Sequence, residues 1–217
     1  MRLTKYILLS ITLLIGLIVN AQLDSGLLVG LTTGTTTNIN ATTDAAQGAL
    51  VFNTDTNQVY VFDGTSWSQM GQKTIYTGTF RISATGAVSV SGIPFQPSSV
   101  SFVAYANIED FDINADNGTR NNETGLPNAY GSMKGFARDD NGSITEQVIF
   151  NGGSGNSIND ISRYASSTHS IGLRYANQNG DNLGLTTATV TSFNADGFSL
   201  NTDSYADGIV VIFEAHR

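Results

Sequence analysis

The sequence predicts an all-β protein: an antiparallel β-sandwich, jelly-roll-like, preceded by a small three-stranded meander and an extended arm. Three observations carry this. Short β-prone runs recur along the chain with alternating faces, as strands with one buried face require. The breaks between them are Gly-, Asn- and Asp-rich, the chemistry of tight turns. Only 13% of residues are charged, and no helix-length stretch keeps a 3.6-residue period.

The first 21 residues read as an export signal. Arg2 and Lys5 form a basic start, Ile7 to Val19 an apolar core, and Val19 and Ala21 place small residues before a cut at Gln22. That core is shorter than the roughly 20 residues a spanning helix needs, so no membrane span is expected after cleavage. The segment resembles a Gram-negative Sec signal, and its Asn20-Ala21-Gln22 ending resembles those of Bacteroidetes. A secreted or cell-surface location follows as an expectation. Without a cysteine at the cut, lipid attachment there is impossible.

Residues 22–47 cluster Thr32, Thr33, Thr35, Thr36 and Thr37 with no sustained period, which reads as a linker or arm, extended rather than globular. It is either a plain spacer or an arm that orders by wrapping partner subunits. Residues 48–71 hold three β-prone runs, Ala49–Phe52, Gln58–Phe62 and Ser66–Met70. The intervening Asn53–Asn57 and Asp63-Gly64-Thr65 are hairpin turns, because Asn and Asp tolerate and Gly favours positive φ. So small a meander cannot bury a core of its own and must pack on the next domain or on copies of itself.

The run Gly48, Asn53, Thr54, Thr56, Asn57, Tyr60, Asp63, Gly64, Thr65, Trp67 resembles a short module of Bacteroidetes surface proteins and of phage tail-fibre-like proteins. The resemblance implies presentation or assembly.

From residue 72 to the end lies the expected sandwich domain. Its candidate strands are Tyr76–Ser83, Ala87–Ile93, Ser99–Ala106, Ser132–Arg138, Thr145–Phe150, Ser170–Ala176, Thr187–Phe193, Gly197–Asn201 and Gly208–Ala215. Asp196-Gly197 marks a hairpin. Ile209–Phe213 is apolar on both faces and should lie centrally in a sheet. Ser157–Tyr164 is the one helical hint, two turns at most. Val190, Phe193, Asp196, Gly197, Phe198, Leu200, Gly208 and Val211 resemble β-sandwich domains of phage virion and tail-associated proteins. These are turn and core positions, which speak to fold rather than function. An outer-membrane barrel is disfavoured because most strands are shorter than the 9–11 residues a lipid-spanning strand needs.

Composition excludes much chemistry. With no cysteine there is no disulfide, thiol nucleophile or thiolate zinc site, and two histidines cannot build a multi-histidine centre. A net charge of −8 argues against nucleic-acid binding. A Ser-His-Asp set would need His169 or His216; the first opens a candidate strand and the second is penultimate, and no Gly-x-Ser-x-Gly elbow exists. The chain is therefore read as a non-enzyme.

Two constellations remain. Asp112, Asn114, Asp116 and Glu123 place oxygen ligands at positions 1, 3, 5 and 12 of a loop, as a Ca²⁺ site would. Gly118 comes one place late and Arg120 adds a positive charge, which favours the other reading, a polar loop capping its own turns. Asn156, Asp160 and Tyr164, with Tyr130 or Trp67 as stacking rings, form a candidate carbohydrate site. The favoured function is a structural or adhesive surface module, phage-tail-like and self-associating as a trimer or polymer. The alternative is a lectin-like, Ca²⁺-supported carbohydrate-binding module whose partners are glycans or cell-surface components.

Overall fold

The computed structural model describes residues 30–108, 116, 118 and 124–217. The chain divides into two compact units, Met1–Gln72 and Lys73–Arg217.

The small unit is built from β1 (Thr33–Gly34), α1 (Thr36–Ala41), β2 (Leu50–Asn53), β3 (Gln58–Phe62) and β4 (Trp67–Gln69). Its sheet runs β1-β2-β3-β4, with β1 parallel to β2 and the other pairs antiparallel. The expected meander is β2–β4. The expected arm is corrected: part of it supplies β1 and α1. Thr and Asn are poor helix formers, so α1 depends on its surroundings. Thr35 caps it, its Oγ1 accepting from the Asn38 amide. The Asp55 carboxylate accepts from the Thr36 amide at 2.8 Å, and Ile39 is buried.

The second unit holds β5 (Ile75–Ile82), β6 (Gly86–Val90), β7 (Ser99–Tyr105), β8 (Ala129–Asp139), β9 (Ile144–Ser154), β10 (Ser157–Ser166), β11 (Ile171–Ala176), β12 (Asn182–Asn194), β13 (Gly197–Ser204) and β14 (Ile209–His216). A six-stranded sheet, β10-β9-β8-β7-β14-β5, packs on a four-stranded sheet, β11-β12-β13-β6, every pair antiparallel. This is the expected β-sandwich. Its connectivity is plainer than a jelly roll: β7 to β10 and β11 to β13 are runs of sequential hairpins, and β14 returns beside β7. Four phenylalanines, Phe80, Phe102, Phe198 and Phe213, interlock at ring distances of 5.2–6.2 Å to centre the core.

Three expectations change. Ser157–Tyr164 is not helical; it lies in β10, paired with β9. A register shift between Ser157 and Ile161 breaks the two-residue period, and that break is what imitates a helical spacing of isoleucines. β14 does lie inside the sheet, between β7 and β5, but only one of its faces is covered: Val211 and Phe213 are buried while Ile212 is exposed. The turn between β12 and β13 is Ala195-Asp196, with Gly197 opening β13 opposite Asn194.

Glycine is required where the layers touch. A Cβ on Gly135 of β8 would run into the Ser170 carbonyl oxygen, and one on Gly172 of β11 into the Tyr164 ring.

Candidate functional site

The small sheet has two unlike faces. Val51, Asn53, Tyr60, Phe62 and Trp67 share one, by cross-strand register and alternation. Over this face lies a cleft of about 290 Å³ bordered by Asn38, Ile39, Val51 and Trp67, its lining reaching Thr33 and Leu50 as well. Trp67 Nε1–H donates to the Thr42 carbonyl at 2.8 Å, and its ring packs on Phe62 at 5.3 Å. Leu50, Phe52, Val59 and Val61 share the other face, which is open: Leu50 and Met70 are exposed and the rest half-buried.

The turns that set this sheet are fastened by side chains. Asn53 Oδ1 accepts from the Asp55 and Thr56 amides, and Asn57 takes the left-handed conformation at φ 54°. Asp63 Oδ1 accepts from the Thr65 and Ser66 amides at 2.7 Å. Those bonds, Ser66's foremost, hold its carboxyl below the usual carboxylate range.

In the sandwich a polar cluster surrounds His169. Its Nδ1 lies 2.9 Å from Ser166 Oγ, 3.1 Å from Thr168 Oγ1 and 3.4 Å from the Tyr164 hydroxyl, and its Nε2 is 3.2 Å from Asp203 Oδ2. Thr187 Oγ1 donates to the same carboxylate at 3.0 Å. Close by, buried Glu146 accepts from the Val190 amide at 2.5 Å. Burial raises the Glu146 pKa, against the opposing effects of that amide, the Ser170 hydroxyl and His169. Although Ser, His and Asp meet here, the three hydroxyls compete for one ring nitrogen, and the Ser166 oxygen already accepts from the Thr168 amide. The arrangement ties the β10–β11 turn to β13. Sequence reasoning weighed His169 for a Ser-His-Asp set but did not find its partners: Ser166 and Thr168 are neighbours in the chain, but Asp203 is 34 residues away.

Of the residues expected to bind sugar, Tyr130 and Asp160 come together in the sandwich unit, the Tyr130 hydroxyl and the Asp160 carbonyl both lying beside Gly153. Trp67 belongs to the small unit and the other four to the sandwich unit. Tyr130 is exposed on the outer face of β8, its hydroxyl beside Gly153. Tyr164 lies on the opposite, inner face of the sheet, over Gly172 and against His169. Asp160 starts beside Gly180, and the Asn156 amide donates to Ser154 Oγ within the β9–β10 turn. Of the expected Ca²⁺ ligands, Asp112, Asn114 and Glu123 lie outside the described residues, and Asp116 is exposed. Among the described residues, no three acidic or histidine side chains gather as a metal site would need.

Among the described residues no helix is long and apolar enough to cross a membrane. No curated protein and no solved structure matches the chain. Residues 15–86, about a third of the chain, do match a family model, one described as a phage tail like trimerisation region. The match takes in every described strand of the small unit and runs through β5. In its N-terminal third the chain is thus similar to a phage-tail-like assembly domain.

Proposed function

We propose that this is an exported, non-catalytic structural protein that works as a homotrimer, its N-terminal unit gathering three chains and its sandwich offering surfaces for attachment. The observation that carries the reading is the trimerisation-region match falling across the small unit. Two others support it. Among the described residues, the buried hydrophobics of that unit are Ile39, Val51 and Phe62, a core too small to be self-sufficient. The export-signal pattern of residues 1–21 agrees with work at or beyond the cell surface.

The test is the mass of the purified protein in solution. Size-exclusion chromatography with light scattering at micromolar concentration is expected to give three times the chain mass. A monomer across the accessible range would overturn the reading.

A further inference from the structure

We propose that the open face of the small sheet, formed by Leu31, Leu50, Phe52, Val59, Val61 and Met70, is the surface through which three copies of this chain meet. The proposal rests on the trimeric reading above and gives that assembly its contact.

Register makes these side chains one block. Leu50 stands opposite Val61, and Phe52 opposite Val59, in the two central strands. The Met70 amide donates to the Val59 carbonyl, drawing Met70 alongside. Thr33 pairs with Phe52, which puts Leu31, two residues earlier, on the same face. A shallow depression of about 490 Å³ runs between Leu31, Leu50, Val59 and Met70. Leu31, Leu50 and Met70 are 37%, 44% and 48% exposed. Contiguous apolar surface of this kind marks a contact site, whereas scattered single residues do not.

The trimerisation-region match across this unit makes a second copy the occupant, and charge favours this face for it. Residues 30–72 contain Asp44, Asp55 and Asp63 and no Lys or Arg. A segment carrying only negative charge meets copies of itself at least cost through a face that holds none. Asp55 and Asp63 are engaged in turns at the sheet ends, and the other face is lined by the cleft beside Ile39 and Trp67. Three such sheets facing a common threefold axis close a prism with an apolar interior, a ring that terminates instead of growing. Of the exposed isoleucines in the sandwich strands, Ile212 stands opposite Thr79 and Val103 and Ile75 opposite His216, while Ile149 and Ile161 lie beside cations. Ile149 stands opposite Lys134 on β8, and Arg163 lies two residues from Ile161 on the same face of β10.

The experiment compares Leu50→Asp, Met70→Asp and the control Ile149→Asp by light scattering, with circular dichroism for folding. Leu50→Asp and Met70→Asp are expected to raise the dissociation midpoint at least about 100-fold, since each trimer would bury three unpaired carboxylates. Ile149→Asp should leave the trimer intact. Because the chain has no cysteine, Leu50→Cys and Ile149→Cys with a short bis-maleimide give a second measurement that does not depend on a disruptive charge. Interchain products from the first and none from the second are expected. A trimeric wild type whose Leu50→Asp and Met70→Asp forms stay trimeric, or that cross-links only through Ile149→Cys, would overturn the placement and leave the trimer standing. A monomeric wild type would remove the trimeric reading itself.

Discussion

Ile39→Ala tests whether the small unit is held by burial or by local propensity. Ile39 is 3% exposed and is the buried residue of α1. A six-residue helix lies far below the 12–15 residues at which an isolated helix becomes even marginal, so its hold on the sheet must come from this side chain and the two caps. Removing a buried isoleucine to alanine costs about 2–5 kcal/mol. A core this small rarely supplies more than about 3–5 kcal/mol in total, so the change should consume most of the unit's own stability and leave association to sustain the rest. The assay is provided by the sequence: Trp67 is the single tryptophan and borders the same cleft as Ile39, so its fluorescence reports this unit alone. In urea titrations at several protein concentrations, the Ile39→Ala fluorescence midpoint should fall and depend more steeply on concentration, while the circular-dichroism transition of the sandwich stays in place. A fluorescence midpoint equal to wild type at every concentration would refute the reasoning, because α1 would then be dispensable.

Two more predictions concern the sandwich. Gly135→Ala should destabilise it by about 1–3 kcal/mol in urea denaturation: the new methyl meets the Ser170 carbonyl, and the Gln147 carbonyl at 2.9 Å, backbone that cannot rotate aside. An unchanged midpoint would show that the layers can separate freely. Glu146→Gln should flatten the pH dependence of stability: burial raises the Glu146 pKa, so its contribution is complete below the unfolded carboxyl value and is lost as pH rises through the folded one. The amide oxygen can still accept from Val190, so the variant's midpoint should change less than the wild type's between acid and neutral pH; parallel curves would contradict this.

Where alternation is undisturbed, strands are legible from residues alone. Ser99–Ala106 shows it, with Val100, Phe102 and Ala104 buried and the residues between them partly exposed. β10 was not legible: its bulge spaces Ile158 and Ile161 three apart and imitates a helix turn. α1 and β1 were hidden for another reason. Thr-Thr-Asn-Ile-Asn-Ala carries no helical preference, and β1 is only two residues long, so both exist through partners 19 residues away, Asp55 and Phe52. The same limit applied to the sites. Alternation could not show that Tyr130 and Tyr164 lie on opposite faces of one sheet, since the shift within β10 resets the parity on which that comparison depends. Asp203 joined His169 only through the pairing of β12 with β13, which brings Asp203 beside Thr187.

The two units differ in where their apolar residues point, and this difference connects fold to assembly. The sandwich packs a phenylalanine cluster inward: Phe102 and Phe198 are fully buried and locked to Phe80. The small unit does the reverse. Its central strands place Val51 and Phe62 inside and spend Leu50, Phe52, Val59 and Val61 on the open face. A sheet that leaves four apolar side chains on its open face gains stability by covering them, so in the proposed trimer folding and association of this unit would be linked through mass action. The sandwich carries no such dependence, because its core is complete within one chain. Substitutions on its outer face should therefore change what the protein touches, while substitutions on the open face of the small sheet should change how many chains it comprises.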